Sequence, residues 1–165
     1  MAEETGWNPW RALRERKHLT LEWRELDSAD ALLVDAGGGR RRVILDWRLG
    51  RRARSAALTH ELVHDERGLL YDLSTPGPLV AKEEAAVRAE TARRLVPPER
   101  LDALAESGTP VELWEVADRF DVPEDIARQA IERWRQDRLA ALRTSPEKPA
   151  GGCQNGCQIP PPNAT

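Results

Sequence analysis

The chain has 165 residues, enough to bury one sizeable core, and its charged residues (32%) mix both signs to a net charge of −3. That balance excludes a general electrostatic footprint for nucleic acid or an anionic membrane. One local basic patch remains, Arg40, Arg41, Arg42, Arg48, Arg51, Arg52 and Arg54, which reads more readily as a solvated surface than as a polyanion site. No run approaches the roughly 20 apolar residues a membrane helix needs, and the acidic opening MAEETGWNPW does not read as a secretory signal. The only cysteines, Cys153 and Cys157, lie in the Pro/Gly-rich end, so no disulfide framework is expected and a cytoplasmic location is. As two thiols without neighbouring ligands they make half a metal site at best.

Asn8 before Pro9 predicts an N-cap with proline at the first helical position, followed by Trp10, Leu13 and Lys17 on a helix ending near His18. LTLEWREL then alternates with period two, as a half-buried strand does. ALLVD and RVILDW are two further strands, joined through Ala36 and the Gly37-Gly38-Gly39 run, which supplies the positive φ a hairpin turn requires. Three antiparallel strands are the expectation. RRARSAALTHELVHDERG is rich in helix formers and closes on Gly68. LLYDLSTPGPLVA reads as a loop, KEEAAVRAETARRLV as a long helix ending at Pro97-Pro98, and PERLDALAES as a short one. TPVELWEVADRF, a turn, and PEDIARQAIERWRQDRLAALR outline a helix-turn-helix. The expected fold is α+β, a small antiparallel sheet packed with helices, divided into 7–108, 109–144 and a flexible tail at 145–165.

Within the first long helix, His60 and His64 stand four residues apart and so share one face, about a turn apart. This H-E-x-x-H spacing lets two imidazoles meet one zinc ion, with Glu61 beside the first ligand and free to act as general base. Two histidines at helical spacing by chance is the plain alternative. A catalytic zinc needs a third protein ligand. The extended motif with a third histidine fails, because Arg67 and Leu70 stand where its glycine and histidine would be, and His18 lies at the end of the first helix. A carboxylate is therefore expected: Glu83, Glu84 or Glu90 on the next helix, with Asp72 in the loop as an outsider. Glu84 shares the helical stripe of Val87, Thr91 and Leu95, whereas Glu83 sits about 100° away. A first-turn acid serving the helix dipole is the other reading of Glu84.

From about Trp10 to Trp134, through ALTHELVH, the ERG after it, EEAAVRAETARRLVP and the helix-turn-helix-like end, the sequence resembles the ImmA/IrrE family of metallopeptidases. The family's second motif is a glutamate on the helix after H-E-x-x-H, and register from RRLVP places it at Glu84. Four residues on, where the family often has Asn or Asp, this chain has Arg88. The resemblance implies a zincin-type core and a zinc-dependent intracellular endopeptidase, with His60, His64 and Glu84 as ligands and Glu61 as catalytic base. It also implies a protein substrate, a helix-turn-helix transcriptional repressor of a phage or mobile element. A non-hydrolytic module that sequesters such a repressor is the alternative.

Tyr71, the one tyrosine, lies between the ligand-bearing helices, where a phenol is placed to stabilise a transition-state oxyanion; packing its ring under a loop is the commoner role. Pro123, Glu124 and Asp125 open the last helix, and acids there repel DNA, so a protein-docking or structural role is expected instead. The tryptophans, Trp7, Trp10, Trp23, Trp47, Trp114 and Trp134, are expected to fill cores and seams.

Overall fold

Asn8 caps the first helix, α1 (Pro9–Glu15), its side chain accepting from the Arg11 N–H at 3.0 Å. The computed structural model describes residues 6–68, 76–106 and 112–144. After α1 come β1 (Leu19–Arg24), β2 (Ala31–Gly37) and β3 (Arg40–Asp46), then α2 (Arg51–Arg67), α3 (Gly77–Leu95), α4 (Pro98–Glu106), α5 (Leu113–Phe120) and α6 (Glu124–Thr144). The fold class is α+β. The first helix stops three residues before His18, the Arg16 N–H closing on the Leu13 carbonyl, and the His18 carbonyl already serves the sheet by accepting from Arg41.

The sheet is mixed, which corrects the antiparallel expectation. Its order is β1-β3-β2, with β2 antiparallel to β3 across the glycine hairpin and β1 parallel to β3. The directions still alternate along the chain; what changes is the neighbour. β3 carries the consecutive buried run Val43, Ile44, Leu45 and Asp46, so both its faces are covered and it takes the centre, while β1 and β2, only half covered, take the edges. Gly37, Gly38 and Gly39 all have positive φ, as the hairpin demands.

α2 lays Ala57, Leu58 and Leu62 on the sheet with Val43 and Leu45, and α1 joins this core through Ala12. Its C-terminus ends on Gly68, at φ 71°, whose N–H reaches the His64 and Asp65 carbonyls. α3 begins at Gly77, earlier than the Lys82 start expected, because Pro78 is tolerated in a first helical turn. A second core joins α3 to the C-terminal helices: Ala92 and Val96 pack with Leu101, Val116, Val122, Ala127 and Ala130. Asp121, at φ 55°, turns the chain from α5 to α6, and Arg51 and Arg52 at the start of α2 pair with Asp118 and Asp121. The sheet, α2 and α3 are thus tied to α5 and α6 by both apolar and ionic contacts.

Most of the basic patch is committed in the same way. Arg41 pairs with Asp65, Arg42 with Glu22 and Arg48 with Asp46 and Glu25. Arg54 donates to the Trp47 carbonyl and covers the Trp23 ring. The tryptophan expectation holds in part. Trp7 and Trp134 donate to Thr59 and Asp102, and Trp10 stacks on Trp23. Trp23, although stacked, is exposed at 44%, and Trp47 and Trp114 are exposed at 54% and 57%. Among the described residues no helix is long and apolar enough to cross a membrane.

Candidate metal centre

The core-facing stripe of α2 sets the azimuth of its other residues. With Leu58 and Leu62 on the sheet, His60 and His64 lie about 120° to 160° around the helix from them and face α3, whose Val87 and Thr91 are buried. Glu84 precedes those two by three and seven residues, and its carboxylate arrives between the imidazoles. His64 Nε2 lies 3.1 Å from Glu84 Oε1, His60 Nε2 lies 3.4 Å from Glu84 Oε2, and the two Nε2 atoms are 3.1 Å apart. The rings meet edge to face at 4.7 Å. One donor atom from each of the three residues falls within 4.8 Å of the others.

These spacings fit a zinc ion. Metal–nitrogen and metal–oxygen bonds of about 2.0 Å in a tetrahedron put neighbouring donors about 3.3 Å apart, and imidazole with carboxylate is a donor set zinc accepts. Protonation of the histidines is held below its ordinary range, first by burial; for His60 the neighbouring His64 adds to this and Glu84 opposes it. Neutral imidazoles are the form in which histidine binds metal.

Glu61 is 7% exposed, hydrogen-bonded to the β2 backbone at Leu33, and lines the same cleft as His60. Burial pushes its carboxyl up to about 8; repulsion from Glu84 adds to this, and a hydrogen bond with the Leu33 backbone opposes it. Among the described residues no cation pairs with it. A carboxyl so placed is suited to take and return a proton.

The structure separates the three candidate third ligands on α3. Glu83 turns aside to Arg67, and Glu90 is claimed by Arg93 and Arg94, which hold its carboxyl down to about 2. Glu84 alone of the three on α3 meets the histidines. Asp72 lies outside the described residues, as do Tyr71, Cys153 and Cys157. His18 sits elsewhere, 2.9 Å from Asp65 Oδ2.

A cleft of about 1080 Å³ opens beside His60 and Glu61. Its floor is Ala53, Ala56 and Ala57 of α2. One wall is the 26–31 segment, and the other is Arg88 and Thr91 of α3 with Pro123, Asp125 and Ile126 at the start of α6. Asp46 shapes the first wall, its carboxylate accepting from the Leu26 N–H at 3.1 Å and from the Arg48 N–H at 2.8 Å. The Thr91 hydroxyl is buried without a hydrogen-bond partner. Sequence reasoning missed this cleft, since its walls come from segments about 100 residues apart. The one available signal was the small-residue run at Ala53, Ala56 and Ala57.

Comparison with protein-family models, curated proteins and solved structures finds no match, so the site stands on its own geometry. What fold and site define together is an α+β chain with a two-helix His-His-Glu cluster positioned to hold a metal ion.

Proposed function

We propose that the chain is a zinc-dependent intracellular endopeptidase of zincin type, with His60, His64 and Glu84 holding the ion and Glu61 as its general base. The convergence of three donor atoms from two helices, with a buried carboxyl beside them that no cation neutralises among the described residues, carries this reading. A zinc ion bound there supplies Lewis acidity toward a peptide carbonyl and acidifies water. Glu61 takes the proton of the attacking water and passes it to the leaving amine nitrogen. The cleft beside His60 receives the polypeptide, and the start of α6 forms part of its wall. In this reading α5 and α6 form a helix-turn-helix-like unit that serves docking rather than DNA binding, since α6 opens on Glu124 and Asp125.

The resemblance to ImmA/IrrE metallopeptidases supplies the substrate class, a helix-turn-helix repressor of a phage or mobile element in the host cytoplasm. The test is zinc content of the purified chain together with cleavage of a candidate repressor by wild type, Glu61→Gln and His60→Ala. One zinc per chain, lost in His60→Ala, and cleavage abolished in Glu61→Gln are expected. If Glu61→Gln relieves repression as well as wild type does, the hydrolytic reading is wrong and a sequestering anti-repressor takes its place.

A further inference from the structure

Arg88 stands four residues after Glu84, one turn along the same face of α3, and lines the cleft with His60 and Glu61. Nearby arginines on the two helices have acids: Arg67 has Glu83, Arg93 has Glu90, and Arg94 has Glu66 and Glu90. The Arg88 guanidinium, exposed, has neither ion pair nor hydrogen bond among the described residues. A cation with no acid among the described residues, beside a cluster suited to a metal ion, favours an anion between the two positive charges once the metal is bound.

We propose that this anion is the oxyanion of the reaction and that Arg88 is the catalytic residue that binds it, which rests on the hydrolytic reading above. Water oxygen bonds to the scissile carbonyl carbon as Glu61 accepts the water proton, and the carbonyl π pair moves onto oxygen, which then accepts hydrogen bonds from the guanidinium N–H groups. The carbonyl then re-forms, the C–N bond breaks with its electron pair going to nitrogen, and Glu61 returns the proton to that nitrogen. A planar guanidinium donates along two parallel N–H bonds, and removing one oxyanion donor costs on the order of 100-fold or more in other hydrolases.

The experiment uses the zinc-loaded full chain and an N-phosphoryl-leucyl-tryptophan amide, whose only anionic group is a tetrahedral phosphoryl. Calorimetry measures its affinity for wild type, Arg88→Ala and Arg88→Lys, with zinc content and circular dichroism recorded for each. Arg88→Ala is expected to weaken binding by about 100-fold, and Arg88→Lys to recover part of that, with zinc content unchanged. Affinities of Arg88→Ala and wild type within about threefold overturn the assignment, as does a zinc-loaded wild type that ignores the phosphoryl amide. Loss of zinc from Arg88→Ala also overturns it, since the residue would then be supporting the ligands. A wild type that binds no zinc fails the hydrolytic reading itself, and is told apart from the other outcomes by the metal measurement alone.

Discussion

Two sides of α2 carry charge in opposite ways. On one, Asp65 is met by Arg41 Nη1 at 2.9 Å, by His18 at 2.9 Å and by Arg16 at 3.8 Å, and Glu66 by Arg16 and Arg94. On the other, one turn or less away, His60 and His64 face Glu84, and buried Glu61 has no cation among the described residues. The first side is neutralised by the chain itself and fastens α2 to α1, the sheet and α3. On the second, no arginine or lysine pairs with Glu61 or Glu84 among the described residues, and three donor atoms bound an open space. Burying an uncompensated carboxyl costs stability, and a fold tolerates it where a ligand or a reaction uses the group.

The comparison breaks hardest at the ligands. His64→Ala is expected to lower zinc affinity by more than about 100-fold, beyond the cost of losing a supporting hydrogen bond, with the helical circular dichroism retained. Glu61→Gln should keep zinc and lose about 100- to 10,000-fold in peptide hydrolysis. Adjacent acids on α3 sharpen the contrast: Glu84→Gln is expected to cost zinc, whereas Glu83→Gln, which only frees Arg67, should leave zinc content and turnover within about twofold.

The neutralised side answers in stability. Asp65→Ala is expected to destabilise the fold by about 2 kcal/mol in urea unfolding, less than for a wholly buried pair because Arg41 and His18 remain partly in water. The smallest effect is in acid. Arg93 and then Arg94 hold Glu90 down to about 2 from its ordinary 4.5, so the folded state binds fewer protons than the unfolded one between those values. Its stabilisation is full above the ordinary value and fades as pH falls toward 2, and Glu90→Gln should flatten that limb of the urea midpoint against pH.

How much of this was legible beforehand differs by residue. His60, Glu61 and His64 needed only helical spacing, because a four-residue repeat on a helix is a local geometric fact. Glu84 was favoured by its stripe, but what removes Glu83 and Glu90 is their arginine partners, which no periodicity announces. The antiparallel expectation failed because alternation reports which residues are half buried and not which strand stands beside which. Arg88 was visible only as a departure from a family pattern. That it lines the cleft with no acid paired to it among the described residues is a property of the packed helices.

The sequence by itself determined the α+β class, the glycine hairpin, the helical placement of the histidine pair and the absence of any overall charge suited to polyanions. These follow from short-range periodicity, turn chemistry and composition. Tertiary structure alone decided that β3 lies between β1 and β2, that Glu83 and Glu90 are drawn off to arginines, that Asp65 and Glu66 are consumed by arginines from other elements, and that α6 walls the cleft. Each of those depends on which surfaces bury one another across tens of residues, a competition among many near-equal apolar and ionic contacts that only the folded chain resolves.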